Sequence, residues 1–501
     1  MIRTQTRSSV YSADDPLALA LQPPESESER ERQARLKAEE DAKANSDRID
    51  DQLRLERESL KKRRNEVKLL LLGQAESGKS TLQKQFQLLY APGTLDQERA
   101  SWRTVVYFNI IRTINRILDA VDIAEPATST SGAGSAGASS SSGNSDAGFS
   151  TPSTSFSAAA GPVAPSTPPP RDSTPPTTAQ ARHTKAELAR LRLRLSPLCS
   201  AEKVLADRLS GGVQVGAGAQ KRGGGVYVRA GWQAQAGKKL RSGDEDEEDE
   251  LTKIARVLAN CREDVKELWQ HPSVKGLVAS RKMRLEESSE FFLNNISRIA
   301  TSSPPYTPST DDILYARLQT MGITQHTFHV SMHGKALAWH LFDVGGARGQ
   351  RHTWVPYFDD ANAIIFIAPV SAFDQYLEED PRVNRINDSL QLWTQICSNE
   401  LLKKVHLVLF LNKTDVLKQK LTAGVLVRKY ITSYGERPNA YEPVVDYFRT
   451  HFLQVHRRTN EERRVLYTHL TSVVETKATH AIITNVQDSI FRGYLKEASL
   501  V

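Results

Sequence analysis

Val67-Lys68-Leu69-Leu70-Leu71-Leu72-Gly73-Gln74-Ala75-Glu76-Ser77-Gly78-Lys79-Ser80 is the stretch on which the reading of this 501-residue chain turns. Its apolar opening predicts a short buried parallel strand. The run from Gly73 satisfies G-x-x-x-x-G-K-[ST] and predicts a tight loop followed by a helix beginning near Lys79. Successive backbone N–H groups at such a helix start, from Gly73 through Glu76, Ser77 and Gly78, cradle phosphate oxygens. Lys79 neutralises β- and γ-phosphate charge, and the Ser80 hydroxyl ligates Mg²⁺.

Two further motifs say which nucleotide. Asp343-Val344-Gly345-Gly346 follows an apolar strand, so that Asp343 reaches Mg²⁺ through water and the amide of Gly346 meets the γ-phosphate. Asn412-Lys413-Thr414-Asp415 follows the apolar run 405–411. A carboxylate at Asp415 accepts two hydrogen bonds from guanine, from N1–H and the exocyclic amine, and adenine offers neither. The three motifs, in this order and each at a strand's C-terminal end, predict a guanine-nucleotide site on an α/β fold. An ATP-dependent P-loop kinase is disfavoured, because Asp415 would face adenine without donors.

The flanking sequence divides by composition. Residues 1–26 read as a flexible tail, and 27–67 as a long charged helix with sparse apolar positions at Leu36, Ile49, Leu53 and Leu60. Helical periodicity recurs over 95–123 through Val105, Val106, Ile110, Ile111, Ile114, Ile117 and Leu118. Residues 127–178 are Ser, Thr, Ala, Gly and Pro, which bury too little apolar surface to offset ordering entropy. A short helical stretch is predicted around Leu188, Leu191 and Leu195. Disorder is expected to resume around Gly223–Gly225 and to end in the acid run 244–250. Helical periodicity returns over 251–299, and Pro304-Pro305 closes it. Strands are predicted at 327–330, 336–344, 363–367 and 405–411, with helices between and an amphipathic helix at the end through Ile482, Ile483, Val486, Ile490 and Leu495.

The net charge of +7 is mixed along the chain, so a nucleic-acid surface is not expected. The basic run Lys61-Lys62-Arg63-Arg64 is either a solvated helix face or a contact for anionic lipid. Cys199, Cys261 and Cys397 lack metal or disulfide spacing, which predicts a reducing compartment. No apolar run is long enough to span a bilayer. The start Met1-Ile2-Arg3-Thr4 has no Gly at position 2 and no secretory core, so N-myristoylation is not expected.

Together these residues resemble the α subunit of a heterotrimeric G protein over most of 45–501, outside the low-complexity insertion. Residues 66–85 resemble that family's first strand, loop and helix, 312–323 its first switch, and 343–354 its second. Val383-Asn384-Arg385-Ile386 and Tyr467-Thr468-His469-Leu470-Thr471 are also similar to family signatures. The resemblance implies a P-loop GTPase domain with a mostly parallel sheet at 67–94 and 309–501. It also implies an all-helical domain inserted at 95–308, interrupted by a disordered segment at about 125–250. Arg317 matches an in-built arginine finger, Thr320 the second protein ligand to Mg²⁺, and Glu76 an acid that pairs with that arginine. Arg317, Lys79 and Glu76 are thus the implied catalytic set, and Ser80, Thr320 and Asp343 the metal set. Thr81, Leu314 and Val473 are further implied nucleotide contacts, beside Asn412, Lys413 and Asp415. The implied partners are a βγ dimer at the N-terminal helix and second switch, a seven-helix receptor at the C-terminal helix, and a downstream effector. The implied location is the inner face of the plasma membrane, as a peripheral protein.

The sequence departs from that pattern in four places. The glutamine that orients the attacking water is Ala347, and the third residue of the phosphate loop is Ala75 instead of glycine. Rescue of the missing amide by Gln350 needs the loop to slip by three residues. Thr471-Ser472-Val473-Val474 replaces T-C-A-T, which leaves the Val473 N–H free to bond the base carbonyl while its side chain crowds the ring. The end Ala498-Ser499-Leu500-Val501 lacks the cysteine that some members carry four residues from the terminus. GTP binding with Mg²⁺ and slow hydrolysis are expected. The alternative is a GTP-locked or nucleotide-indifferent scaffold. His326, His329, His333 and His340 are read as ordinary surface histidines, and Trp354 as either a partner anchor or a core residue.

Overall fold

The computed structural model describes residues 28–63, 66–124, 178–210, 227–228, 231–233, 250–332, 335–459 and 464–497. The tail, the low-complexity block 127–177, Gly223–Gly225, most of the acid run, the side chains of the basic run and the last four residues lie outside them. The chain forms two compact units, one of residues 1–68 with 329–340, the other of 69–328 with 341–501.

The first unit is chiefly α1 (Glu29–Arg63). Ser28 opens it with a capping box: its amide donates to the Glu31 carboxylate at 2.9 Å, and its Oγ accepts from the Glu31 N–H at 3.5 Å. Leu36 and Ile49 remain about half exposed, as their spacing without a companion stripe predicts.

A six-stranded sheet has the order β4-β5-β1-β6-β7-β8. Its strands are β1 (Glu66–Leu72), β4 (Ile323–Met332), β5 (Lys335–Val344), β6 (Ala363–Pro369), β7 (His406–Asn412) and β8 (Leu466–Thr471). The central pairs are parallel, with Leu69 opposite Ala363, Ala363 opposite His406, and Leu407 opposite Leu466. Parallel strands covered on both faces must be apolar throughout, and β6 is buried at every position. Strand order reverses at β1, with β5 on one side and β6 on the other. In open α/β sheets the crevice beyond such a point receives the ligand, and the loop 73–78 lies there. Helices α11 (Arg385–Ser398), α12 (Thr414–Thr422), α13 (Tyr441–Thr459) and α14 (Thr476–Glu497) connect or follow the later strands. Trp393 sits at the centre of the sheet's core against Phe366, ring centroids 5.0 Å apart, and donates its indole N–H to the Phe452 carbonyl at 3.0 Å.

A second core is helical. After α2 (Lys79–Tyr90), α3 (Pro92–Ala124) buries Val105, Val106, Ile110, Ile111, Ile114 and Ile117 at helical period. It packs on α4 (Thr178–Ser210), which corrects the sequence reading. The predicted short stretch is a 33-residue helix, with Leu188, Leu191, Leu195, Leu198, Leu205 and Leu209 buried. A composition scan misses it because the polar residues between these leucines dilute the average while the stripe remains intact. The block 251–299 is broken into α5 (Glu250–Asn260), α6 (Arg262–Gln270), α7 (Pro272–Ala279), α8 (Ser289–Asn294) and α9 (Ile296–Ile299). His271 and Pro272 end one helix and start the next, because the residue before proline leaves the α region.

The chain returns to the sheet through α10 (Thr310–Tyr315), capped by a reciprocal Ser309–Asp312 box. Buried Asp312 also takes a two-pronged pair from Arg298 at 2.7 and 2.6 Å. Two short strands follow from residues far apart in sequence: β2 (Tyr227–Val228) pairs in parallel with β3 (Gln319–Thr320). This is a second correction, since β2 falls inside the span read as disordered.

Candidate functional site

The loop 73–78 is closely approached by its neighbours at two glycines. Gly78 has φ +107°, and a Cβ there would come within 2.3 Å of the Asn412 amide nitrogen, so only glycine fits. Gly346 approaches from the second switch, where a Cβ would lie 2.4 Å from Lys79 Nζ and 2.5 Å from the Gln74 carbonyl carbon. Lys79 Nζ donates to the carbonyls of Gly73 at 3.0 Å and Gln74 at 2.7 Å. Burial pushes its pKa down to about 8, against the pull of Asp343.

Three elements bring oxygen atoms together beside it. Ser80 Oγ, in the first turn of α2, donates to Asp343 Oδ2 at 2.6 Å. Thr320 Oγ1, on β3, lies 3.1 Å from Ser80 Oγ and 3.4 Å from Asp343 Oδ2. Asp343 Oδ1 is buried and has no protein partner, and burial raises this carboxyl's pKa despite Lys79. An all-oxygen donor set with an orphaned buried carboxylate oxygen suits a hard divalent cation. The implied Mg²⁺ therefore fits the residues present.

Arg317 comes from the segment after α10. Its guanidinium hydrogen-bonds Glu76 and lies 3.2 Å from the Glu286 carboxylate. Burial lowers its pKa to about 10. Asn109 of α3 clamps the backbone on both sides, accepting from the Arg317 N–H at 2.7 Å and donating to its carbonyl at 3.0 Å. Arg385 holds the other oxygen of Glu76 at 3.0 Å and donates to the Ala75 carbonyl and, at 2.8 Å, to Gln74 Oε1. Gln74 is buried and returns two bonds from Nε2, to the Arg385 carbonyl at 2.6 Å and Ser389 Oγ at 2.5 Å.

At the opposite end, Asn412 is fully buried. It donates to the Ser77 carbonyl at 2.8 Å and accepts from Thr471 Oγ1 at 3.1 Å and the Val473 N–H at 3.2 Å. The Val473 amide, expected to be free for a base carbonyl, is thus engaged by Asn412. Gln85 Nε2 holds the Val473 carbonyl at 2.8 Å. Lys413, at φ +64°, pairs with Glu287, and Asp415 follows in the first turn of α12.

One cavity of about 770 Å³ joins these parts. Its wall includes Glu76, Gly78, Lys79, Ser80, Thr81, Leu314, Arg317, Thr320, Asp343, Gly346, Asn412, Lys413, Asp415 and Val473. Of the residues singled out from sequence, Gly73 and Ser77 stand behind the wall. Ala75 and Ala347 are on it, and Gln350 is not. The Gln350 Oε1 atom instead packs against Gly345, where a Cβ would come within 1.7 Å of it. Trp354 is a core residue, 2% exposed, with its indole N–H on the Gly345 carbonyl at 3.0 Å. Among the described residues, no group of three or more His, Cys, Asp or Glu side chains is placed to hold a metal.

Sequence reasoning missed Gln74, Asn109 and Glu286. Gln74 fills an unspecified position of the motif, and Glu286 belongs to a loop without one. Asn109 left a trace, as a polar residue beside Ile110 and Ile111 on the buried stripe of α3.

Residues 43–490 match the family described as G-protein alpha subunit. A guanine nucleotide-binding protein alpha-4 subunit of Mycosarcoma maydis is 32% identical, over 97% of this chain and 96% of its own length. A guanine nucleotide-binding protein subunit alpha of Coprinellus congregatus is 27% identical, over 92% of this chain and 98% of its own. An alpha-1 subunit of Neurospora crassa is 26% identical, over 92% and 98%. With the phosphate loop, the oxygen cluster and the Asn412–Asp415 end meeting in one cavity, the chain belongs to the G-protein α subunit family of guanine-nucleotide-binding GTPases.

Proposed function

We propose that this chain is a GTP/GDP switch of receptor signalling whose hydrolytic step is slow. The observation that carries this is the pairing of an intact binding frame with methyl groups at Ala75 and Ala347 on the cavity wall. The backbone of the loop after Gly73 binds the phosphates, and Lys79 and Arg317 stabilise negative charge as it develops on them. Asp415 selects guanine. Ser80 and Thr320 would ligate Mg²⁺, with Asp343 acting through water, and the ion would neutralise charge on the phosphate oxygens when bound. Hydrolysis also needs a water held in line with the γ-phosphorus, and an alanine methyl neither donates to it nor accepts its proton.

The experiment is single-turnover GTP hydrolysis with Mg²⁺. The expected rate is about 100-fold or more below the roughly 10⁻² s⁻¹ of an α subunit with its arginine in cis. Ala347→Gln should raise it. An unmodified chain that turns over at the ordinary rate refutes the proposal. The same reading assigns 67–94 with 309–501 to a GTPase domain and 95–308 to a helical domain. It takes a βγ dimer, a seven-helix receptor and an effector as partners, with peripheral attachment at the inner face of the plasma membrane. Taken alone, the two alanines favour a second reading, a GTP-locked or nucleotide-indifferent scaffold, whereas the retained Lys79, Arg317, Thr320 and Asn412–Asp415 favour nucleotide-dependent behaviour. The nucleotide on freshly purified protein separates them: GDP fits the slow switch, GTP the locked form, and neither the indifferent one.

A further inference from the structure

Residues 211–249 contain only two aromatics, Tyr227 and Trp232. Both belong to the part of that stretch the structure describes. Val228 is 5% exposed and pairs across from Thr320, and the Met321 N–H donates to the Val228 carbonyl at 2.9 Å. Trp232 is 8% exposed and meets Trp102 edge-on, ring centroids 5.0 Å apart. Ser101 Oγ donates to the Gln233 carbonyl at 3.2 Å. A two-residue strand does not hold itself, so the buried indole is the anchor. Trp102, on which it rests, also carries Lys84 Nζ 4.2 Å from its ring centroid. Lys84 Nζ in turn donates to the carbonyls of Ile313 at 2.7 Å and Ala316 at 3.0 Å. The first switch is therefore tied on one side by Lys84 and on the other by β2. Val228, Gly231, Trp232 and Gln233 also line the nucleotide cavity.

We propose that Tyr227–Val228 and Gly231–Gln233 form an intrachain strap that positions Thr320 and keeps the first switch ordered whichever nucleotide is bound. This rests on the reading of Thr320 as a residue facing a nucleotide and Mg²⁺. GTPase switch segments are commonly ordered by the γ-phosphate and its metal, and released when both contacts are lost. The strap bonds involve neither, so they add the same bias toward order in both nucleotide states and narrow the difference between them. The strap also forms part of the cavity wall, so loosening it opens a way out for the nucleotide.

The test is hydrogen–deuterium exchange over residues 318–322 in three full-length chains: unmodified, Trp232→Ala, and one with the five strap residues replaced by Gly and Ser. In the unmodified chain, exchange with GDP and with a non-hydrolysable GTP analogue is expected to agree within about twofold. In the replaced chain, exchange with GDP should speed up about tenfold while the analogue form stays slow, with Trp232→Ala between. GDP release should accelerate about fivefold or more in both variants. Equal protection of 318–322 in all three chains overturns the strap, as does unchanged GDP release. Thermal unfolding of each chain shows that it is folded, and Trp232→Ala serves if the replacement is not. Failure of the unmodified chain to bind guanine nucleotides would instead overturn the functional reading. Protection of 318–322 in nucleotide-free protein still reports the strap in that event.

Discussion

Gln74→Met isolates the contact by which α11 braces the phosphate loop. Methionine keeps the length and volume of glutamine but removes three hydrogen bonds from a side chain that is 1% exposed. Two of them run from Nε2 to the Arg385 carbonyl and Ser389 Oγ, and one comes from the charged Arg385 Nε. Neutral bonds contribute about 1 kcal/mol each and a charged one about 2, so the loss is about 3–5 kcal/mol once the buried partners left behind are counted. At about 2 °C per kcal/mol for a chain of this size, the melting temperature should fall about 6–10 °C. It must be measured at one fixed GDP and Mg²⁺ concentration, because bound nucleotide adds to stability. Ser389→Ala, which removes one of the three bonds, should cost about 1 kcal/mol. Arg385 also bonds the Ala75 carbonyl and Glu76, so GDP release should quicken in Gln74→Met as the loop loosens. A fall below about 2 °C with unchanged GDP release would show that the brace carries little, and would refute the reasoning.

Three further outcomes are expected. Asp312→Asn should cost about 2 kcal/mol at pH 7, by weakening the Arg298 pair and the cap of α10. Burial alone would raise the Asp312 carboxyl, but the Arg298 and Ser309 bonds outweigh it and hold the pKa below the ordinary value. Its stabilising effect is therefore present above about pH 4, and lost as pH falls through the folded pKa, so the variant should show a flatter acid limb in unfolding curves. Asp415→Ala should weaken GTP about 100-fold by calorimetry and leave ATP unchanged, and a variant that keeps its guanine preference contradicts the base assignment. Trp393→Ala should cost about 4 kcal/mol in urea unfolding, and a loss under 1 kcal/mol would mean that the sheet's core closes around the gap.

Strand β1, the loop after it and the start of α2 were legible in the chain because strand, glycine turn and helix start each rest on neighbours a few residues apart. The same holds for Asp343 and Asn412–Asp415, each placed by the apolar strand before it, and for the stripe of α3. Composition misled where a sparse stripe is diluted by polar residues, as in α4, and where two aromatics stand in a Gly-rich stretch, as at β2 and the Trp232 that follows it.

Contacts between residues distant in sequence came from packing alone. Gln74 meets Arg385 and Ser389 across 311 and 315 positions, and Asn109 meets Arg317 across 208. No periodicity reports such pairs, because their geometry comes from how the helices pack on the sheet. The place of Gln350 against Gly345, away from the cavity wall, was settled the same way: its distance in sequence from Ala347 is fixed, but where its amide points depends on what surrounds it. Local pattern named most of the groups that meet on the cavity wall, and packing decided which other residues hold those groups in place.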